Sequence, residues 1–174
     1  MNELRKALKV ATEALVTFKK VCPHIIFFRN GLLLCDPVYM EGIPDTEPDA
    51  NSRYALIAGI MAKRVGADMV ILIWDAAMRA GTEVPSEEEM PLCYPKSMRH
   101  EVLIAQSVMI PSGESELLFQ FYSDLSGEIE LKPNPFGNGK EMEANCVERF
   151  SKIVLKGYNY SRGGRVDETN THKV

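Results

Sequence analysis

Residues 68–74 read Asp-Met-Val-Ile-Leu-Ile-Trp. After Asp68 the run is apolar without interruption, and its length is that of a strand. A half-buried strand alternates polar and apolar residues; a continuous apolar run marks a strand covered on both faces. The stretch therefore predicts the centre of a sheet with packing on either side. The strand is expected to end in Asp75-Ala76-Ala77.

Working outward, residues 50–65 carry Tyr54, Ile57, Ala58, Met61 and Val65 at helical spacing, with Asp49 placed to cap and Gly66 to terminate. Upstream of this helix, residues 36–49 hold Pro37, Pro44 and Pro48 among acidic side chains and read as a loop. Ile25–Phe28 and Leu32–Leu34 flank Asn30-Gly31, the strongest short hairpin signal. Residues 2–20 form an amphipathic helix whose apolar row is Leu4, Ala7, Leu8, Ala11, Leu15 and Phe18. Cys22-Pro23 stops it.

Downstream, three β-prone segments at 101–110, 116–122 and 128–131 are separated by the short turns Pro111-Ser112-Gly113 and Leu125-Ser126-Gly127. Short connections force antiparallel neighbours, so these segments predict a C-terminal three-strand meander. A last helix spans 141–156 and ends at Gly157, before a polar tail over 158–174. The order α-ββ-α-β-βββ-α lacks the alternation of a doubly wound fold. It predicts an α+β protein with a mixed, mainly antiparallel sheet and helices on one or both faces, as a two-layer or three-layer sandwich. Residues 1–157 are expected to form a single domain.

Composition bounds the function. A chain of 174 residues buries enough surface to fold without a disulfide or metal staple. The net charge is −4, and Lys19-Lys20 and Lys63-Arg64 are isolated basic pairs rather than a stripe, so nucleic acid is not an expected partner. Cys22, Cys35, Cys93 and Cys146 match no zinc spacing and read as buried reduced thiols. The N-terminus does not resemble an export signal, and no run approaches the length of a membrane span, so a cytoplasmic, soluble protein is expected.

Motifs for chemistry are sparse. The glycine patterns of nucleotide loops and the serine elbow of hydrolases do not occur. Gly137-Asn138-Gly139-Lys140 is too short to cradle phosphates and reads as a helix-entry turn. Glu130-Leu131-Lys132, with Asp124 ahead of it, matches half of a nuclease pattern but reads as a solvated strand face. Cys22 and His24 span a bend and do not suggest a nucleophile and its base. No metal or cofactor is expected.

One constellation stands out. If the strand ending at Asp75 pairs with the strand opened by Arg99, His100 and Glu101, the loop over 78–98 arches across their junction. Asp75, His100 and Glu101 are the candidate catalytic groups, because a carboxylate beside an imidazole orients it for proton transfer. Arg99, Trp74 and Tyr94 are the candidate ligand-binding groups, the arginine as an anion fork and the aromatics as walls. The favoured alternative is an Asp75–Arg99 ion pair that pins the loop. The chain is accordingly expected to be a non-catalytic binding or assembly protein and a homo-oligomer, with a protein partner through loop 78–98. A small hydrolase is the second reading.

Overall fold

The computed structural model describes residues 2–40, 50–78, 100–124, 127–135 and 140–160. Helix α1 (Asn2–Phe18) buries Leu4, Ala7, Ala11 and Leu15. Lys19 takes φ 59°, and its N–H donates to the Leu15 carbonyl at 2.8 Å, closing the helix with a left-handed cap. Phe18, expected in the buried row, is 74% exposed. It is the last helical residue, one turn beyond the point where Leu15 anchors the helix to the sheet.

Strand β1 (His24–Arg29) turns at Asn30-Gly31 into β2 (Leu32–Leu33), with Phe28 opposite Leu33 and Arg29 opposite Leu32. Both turn residues have positive φ, 51° and 74°, as this hairpin requires. The Asn30 N–H also donates to the Asp68 carboxylate at 2.7 Å. A second short strand, β3 (Val38–Tyr39), lies where a loop is expected and returns to β1, pairing Tyr39 with His24.

Helix α2 (Ala50–Val65) ends at Gly66, φ 72°, with the Ala67 N–H donating to the Ala62 carbonyl at 2.9 Å. Strand β4 (Met69–Met78) runs four residues past Trp74. The reason is its partner β5 (His100–Met109), which pairs along its whole length, from Met69↔Met109 to Met78↔His100. Ladder bonding keeps Asp75–Met78 extended although their side chains do not favour it. β6 (Ser115–Ser123) and β7 (Glu130–Lys132) follow, each antiparallel to its predecessor. Helix α3 (Lys140–Tyr160) passes through Gly157 rather than stopping there.

The strand order is β2-β1-β4-β5-β6-β7, with β3 also on β1. Every pairing among the described residues is antiparallel, so the sheet is not mixed as the sequence suggested. Helices cover both faces. α2 and α3 pack on one, around Phe27, Val70, Leu72, Val102 and Phe121. Among the described helices only α1 packs on the other, around Ile71, Ile73, Leu103 and Ala105. The central run 68–74 thus feeds both cores through alternate residues.

α2 and α3 cross at glycines. A Cβ on Gly59 would overlap the Val154 carbonyl, and one on Gly157 would overlap the Leu56 carbonyl. Hence Gly157 is needed inside α3 for close approach and does not serve as its terminator. Both outer edges of the sheet are short. β2 and β3 have two residues each, and β7 has three, with Lys132 paired to Glu130. Short, charged edges are poor templates for further strand pairing.

Candidate functional site

The register decides which sequence-predicted groups can meet. Residues paired across an antiparallel sheet share a face, and neighbours along a strand alternate. Asp75 lies opposite Leu103, and Glu101 lies opposite both Ala77 and Tyr122, which places Asp75, Glu101 and Tyr122 on the α1 face. Trp74 and His100 belong to the other face. There Trp74 is buried with its ring 5.2 Å from Phe150, while His100 is exposed. The sheet therefore divides the four groups in pairs. Arg99 and Tyr94 lie outside the described residues, as does the loop over 79–99.

What meets Asp75 is Tyr122, a residue the sequence reading did not single out. Its hydroxyl donates to the carboxylate and sits 2.8 Å from each oxygen. Burial pushes the phenol well above its usual value near 10, reinforced by the bond to Asp75 and the charges of Asp75, Glu101 and Asp124. At neutral pH the phenol thus stays protonated, so it serves as a fixed donor and not as a base. The only signal in the sequence was indirect: Tyr122 falls opposite Glu101 once the two strands are taken in register.

A larger feature lies on the same face, at the other side of the sheet. α1 lies over β4, β5 and β6. Among the described residues no helix lies over the outer part of this face, at β1 and its partners, although Ile26 is buried at the edge of the α1 core. The residues of β1 that point to this face, His24, Ile26 and Phe28, form a floor, extended by their cross-strand partners Tyr39 and Leu33. Ala7, Val10, Ala14 and Phe18 of α1 form the wall. Together they enclose an open groove of about 740 Å³, lined mostly by apolar side chains. Val10 and Tyr39 on its lips are 65% and 59% exposed, and Leu32 and Leu33 are exposed beside them.

Polar groups in the groove are few. His24 is mostly buried, and burial lowers its pKa, opposed by its Nδ1 contact with the Cys22 carbonyl at 2.9 Å. Its ring tilts against Tyr39 with centroids 5.4 Å apart. Cys22 is half-buried, and Cys35 is exposed in the bend between β2 and β3, where the sequence suggested buried thiols. Glu3, Lys6 and Lys20 stand at the ends. A concave apolar surface of a few hundred Å³ with scattered polar groups has the character of a ligand site.

Among the described residues no cluster of His, Cys, Asp and Glu could hold a metal ion, and no helix is long and apolar enough to cross a membrane. No family model matches the chain, and no curated protein or solved structure does either.

Proposed function

We propose that this protein is a non-catalytic binding or assembly protein and that the groove between α1 and β1 is its binding face. The observation that carries the reading is the gathering of exposed apolar side chains, Val10, Phe18, Leu32, Leu33 and Tyr39, around one concavity. Scattered apolar residues are normal on a surface, whereas contiguous ones rimmed by charge mark interaction sites. Self-association, if it occurs, uses this face and not the sheet edges, which are short and blunted. Loop 78–98 offers a second contact for a protein partner. In this reading residues 1–157 act as one cytoplasmic unit, with the three-strand meander over 101–131 as its far side.

Titration with the apolar dye anilinonaphthalene sulfonate tests the reading. Saturable binding to the native protein and its loss in Leu33→Glu are expected. Leu33 is exposed, so the variant should keep its melting temperature. Dye binding that is unchanged in a folded Leu33→Glu variant would remove the groove from consideration.

A second reading, a small hydrolase, draws on Asp75 and Glu101 sharing a face, with His100 opening β5 on the other face; Arg99, Trp74 and Tyr94 remain its candidate ligand-binding groups. It requires hydrolysis of a generic ester to disappear in Asp75→Asn and in His100→Gln. Activity that survives both changes excludes it.

A further inference from the structure

We propose that the groove holds a single-chain anionic amphiphile of the long-chain fatty-acid type, with its tail along α1 and its head at Lys20. The inference rests on the groove being the binding face and goes on to name the ligand. The groove follows α1 from Glu3 to Phe18, roughly 22 Å of helix at about 1.5 Å per residue. Spread over that length, its 740 Å³ corresponds to a mean section of roughly 30 Å². An α-helix with side chains is about 10–12 Å across, wider than that section, so it would not lie wholly within the walls. A single alkyl chain fits within the walls.

The charges set the head. Between the two ends the lining is apolar, with Ala7, Val10 and Ala14 facing Ile26, Phe28 and Leu33. His24 adds no charge at neutral pH, because burial keeps it deprotonated. At the first end Lys6 is accompanied by Glu3, which offsets it; at the second, Lys20 follows Lys19 with no acidic residue lining the groove. Residues 2–20 carry five basic and two acidic side chains in a chain whose net charge is −4. Among the described residues Lys20 makes no ion pair. An anionic head at Lys20 therefore meets a local excess of basic side chains in a chain that is acidic overall.

Calorimetric titration with decanoate, dodecanoate and tetradecanoate, each below its micelle concentration, tests this. One site is expected, with affinity rising about two- to fourfold per added methylene. Ala14→Phe, which fills the groove, should abolish binding, and Leu33→Glu should do so without touching the helix. Lys20→Glu should weaken tetradecanoate by about tenfold. Tetradecyltrimethylammonium should bind no better than to Lys20→Glu. Affinity independent of chain length, or unchanged in a folded Ala14→Phe variant, overturns the proposal. Equal affinity for the cationic amphiphile overturns the assignment of the head. Binding to phosphatidylglycerol vesicles without binding of monomeric tetradecanoate also overturns it and makes the face a membrane contact. If the dye binds and tetradecanoate does not, the binding face stands and only the ligand class falls; if neither binds, both fall.

Discussion

Phe27 and Phe28 are neighbours on β1, yet they face surfaces of different completeness. Phe27 points toward α2 and α3 and is fully buried. Phe28 points to the face that α1 covers only in part, and it borders the groove. The strand is apolar on both sides, but among the described residues two helices serve one face and a single helix serves the other. The two-helix face is closed tightly, with backbones touching at Gly59 and Gly157. The one-helix face has a core over β4–β6 and, at β1, an apolar floor over which no described helix lies. Apolar surface without a helix above it is what separates a binding face from a core.

This contrast can be broken by substitution. The largest loss is expected for Phe27→Ala, about 3–5 kcal/mol, since it opens a cavity in the closed face. The urea midpoint measures it, and a loss below 1 kcal/mol would show that face to be loosely packed. Gly59→Ala comes next. In an open helix the change would gain up to about 1 kcal/mol. Here the added methyl meets backbone, so a loss of about 1–3 kcal/mol is expected. A stabilised Gly59→Ala protein would mean that α2 and α3 do not cross as described.

Tyr122→Phe sharpens the comparison at the far side of the α1 face. Removing its bond to Asp75 should cost about 1 kcal/mol, since the carboxylate is exposed and finds water. A pH signature accompanies it. Tyr122 keeps its proton more firmly folded than unfolded, so its contribution is complete below pH 10 and lost as the pH rises beyond. Native protein should weaken in alkali more steeply than Tyr122→Phe, and parallel alkaline curves would contradict this.

His24 gives the opposite sign in the groove. Its pKa is lowered on folding, so its contribution is complete above pH 6.5 and is lost as the pH falls through the folded value. Thermal melts between pH 7 and 4 should show a loss that His24→Phe reduces. The smallest effect belongs to Leu33→Ala on the groove lip, within about 0.5 kcal/mol. A larger change would mean that Leu33 is already covered, by a second copy or by a bound molecule.

Much of the frame was legible in the chain. The helix at 50–65, the hairpin at Asn30-Gly31 and the central strand were read from periodicity and turn chemistry, because such signals act over a few residues. The limits of β4 were not, since Asp75–Met78 are held by β5 and not by their own preference. Gly157 looked like a helix end and proved to be a crossing point, a role visible only when α2 is beside it. The predicted polar cluster placed Asp75 and Glu101 on one face, but alternation sent Trp74 and His100 to the other, and Tyr122 entered from a third strand.

The sequence by itself determined most of the elements, their order and which residues are apolar, but not β3. Its patterning marks Ile25–Phe28 as an apolar strand segment and puts Phe18 in the buried row of α1, whereas the structure exposes it. Only the tertiary structure decided where α1 would lie on its face of the sheet. α1 settles over β4–β6, where Leu4, Ala11 and Leu15 bury most, and of β1 only Ile26 is fully drawn into that core. The groove is what that placement leaves uncovered. No residue encodes it alone, because it is a property of how many helices share a sheet and where the first one packs.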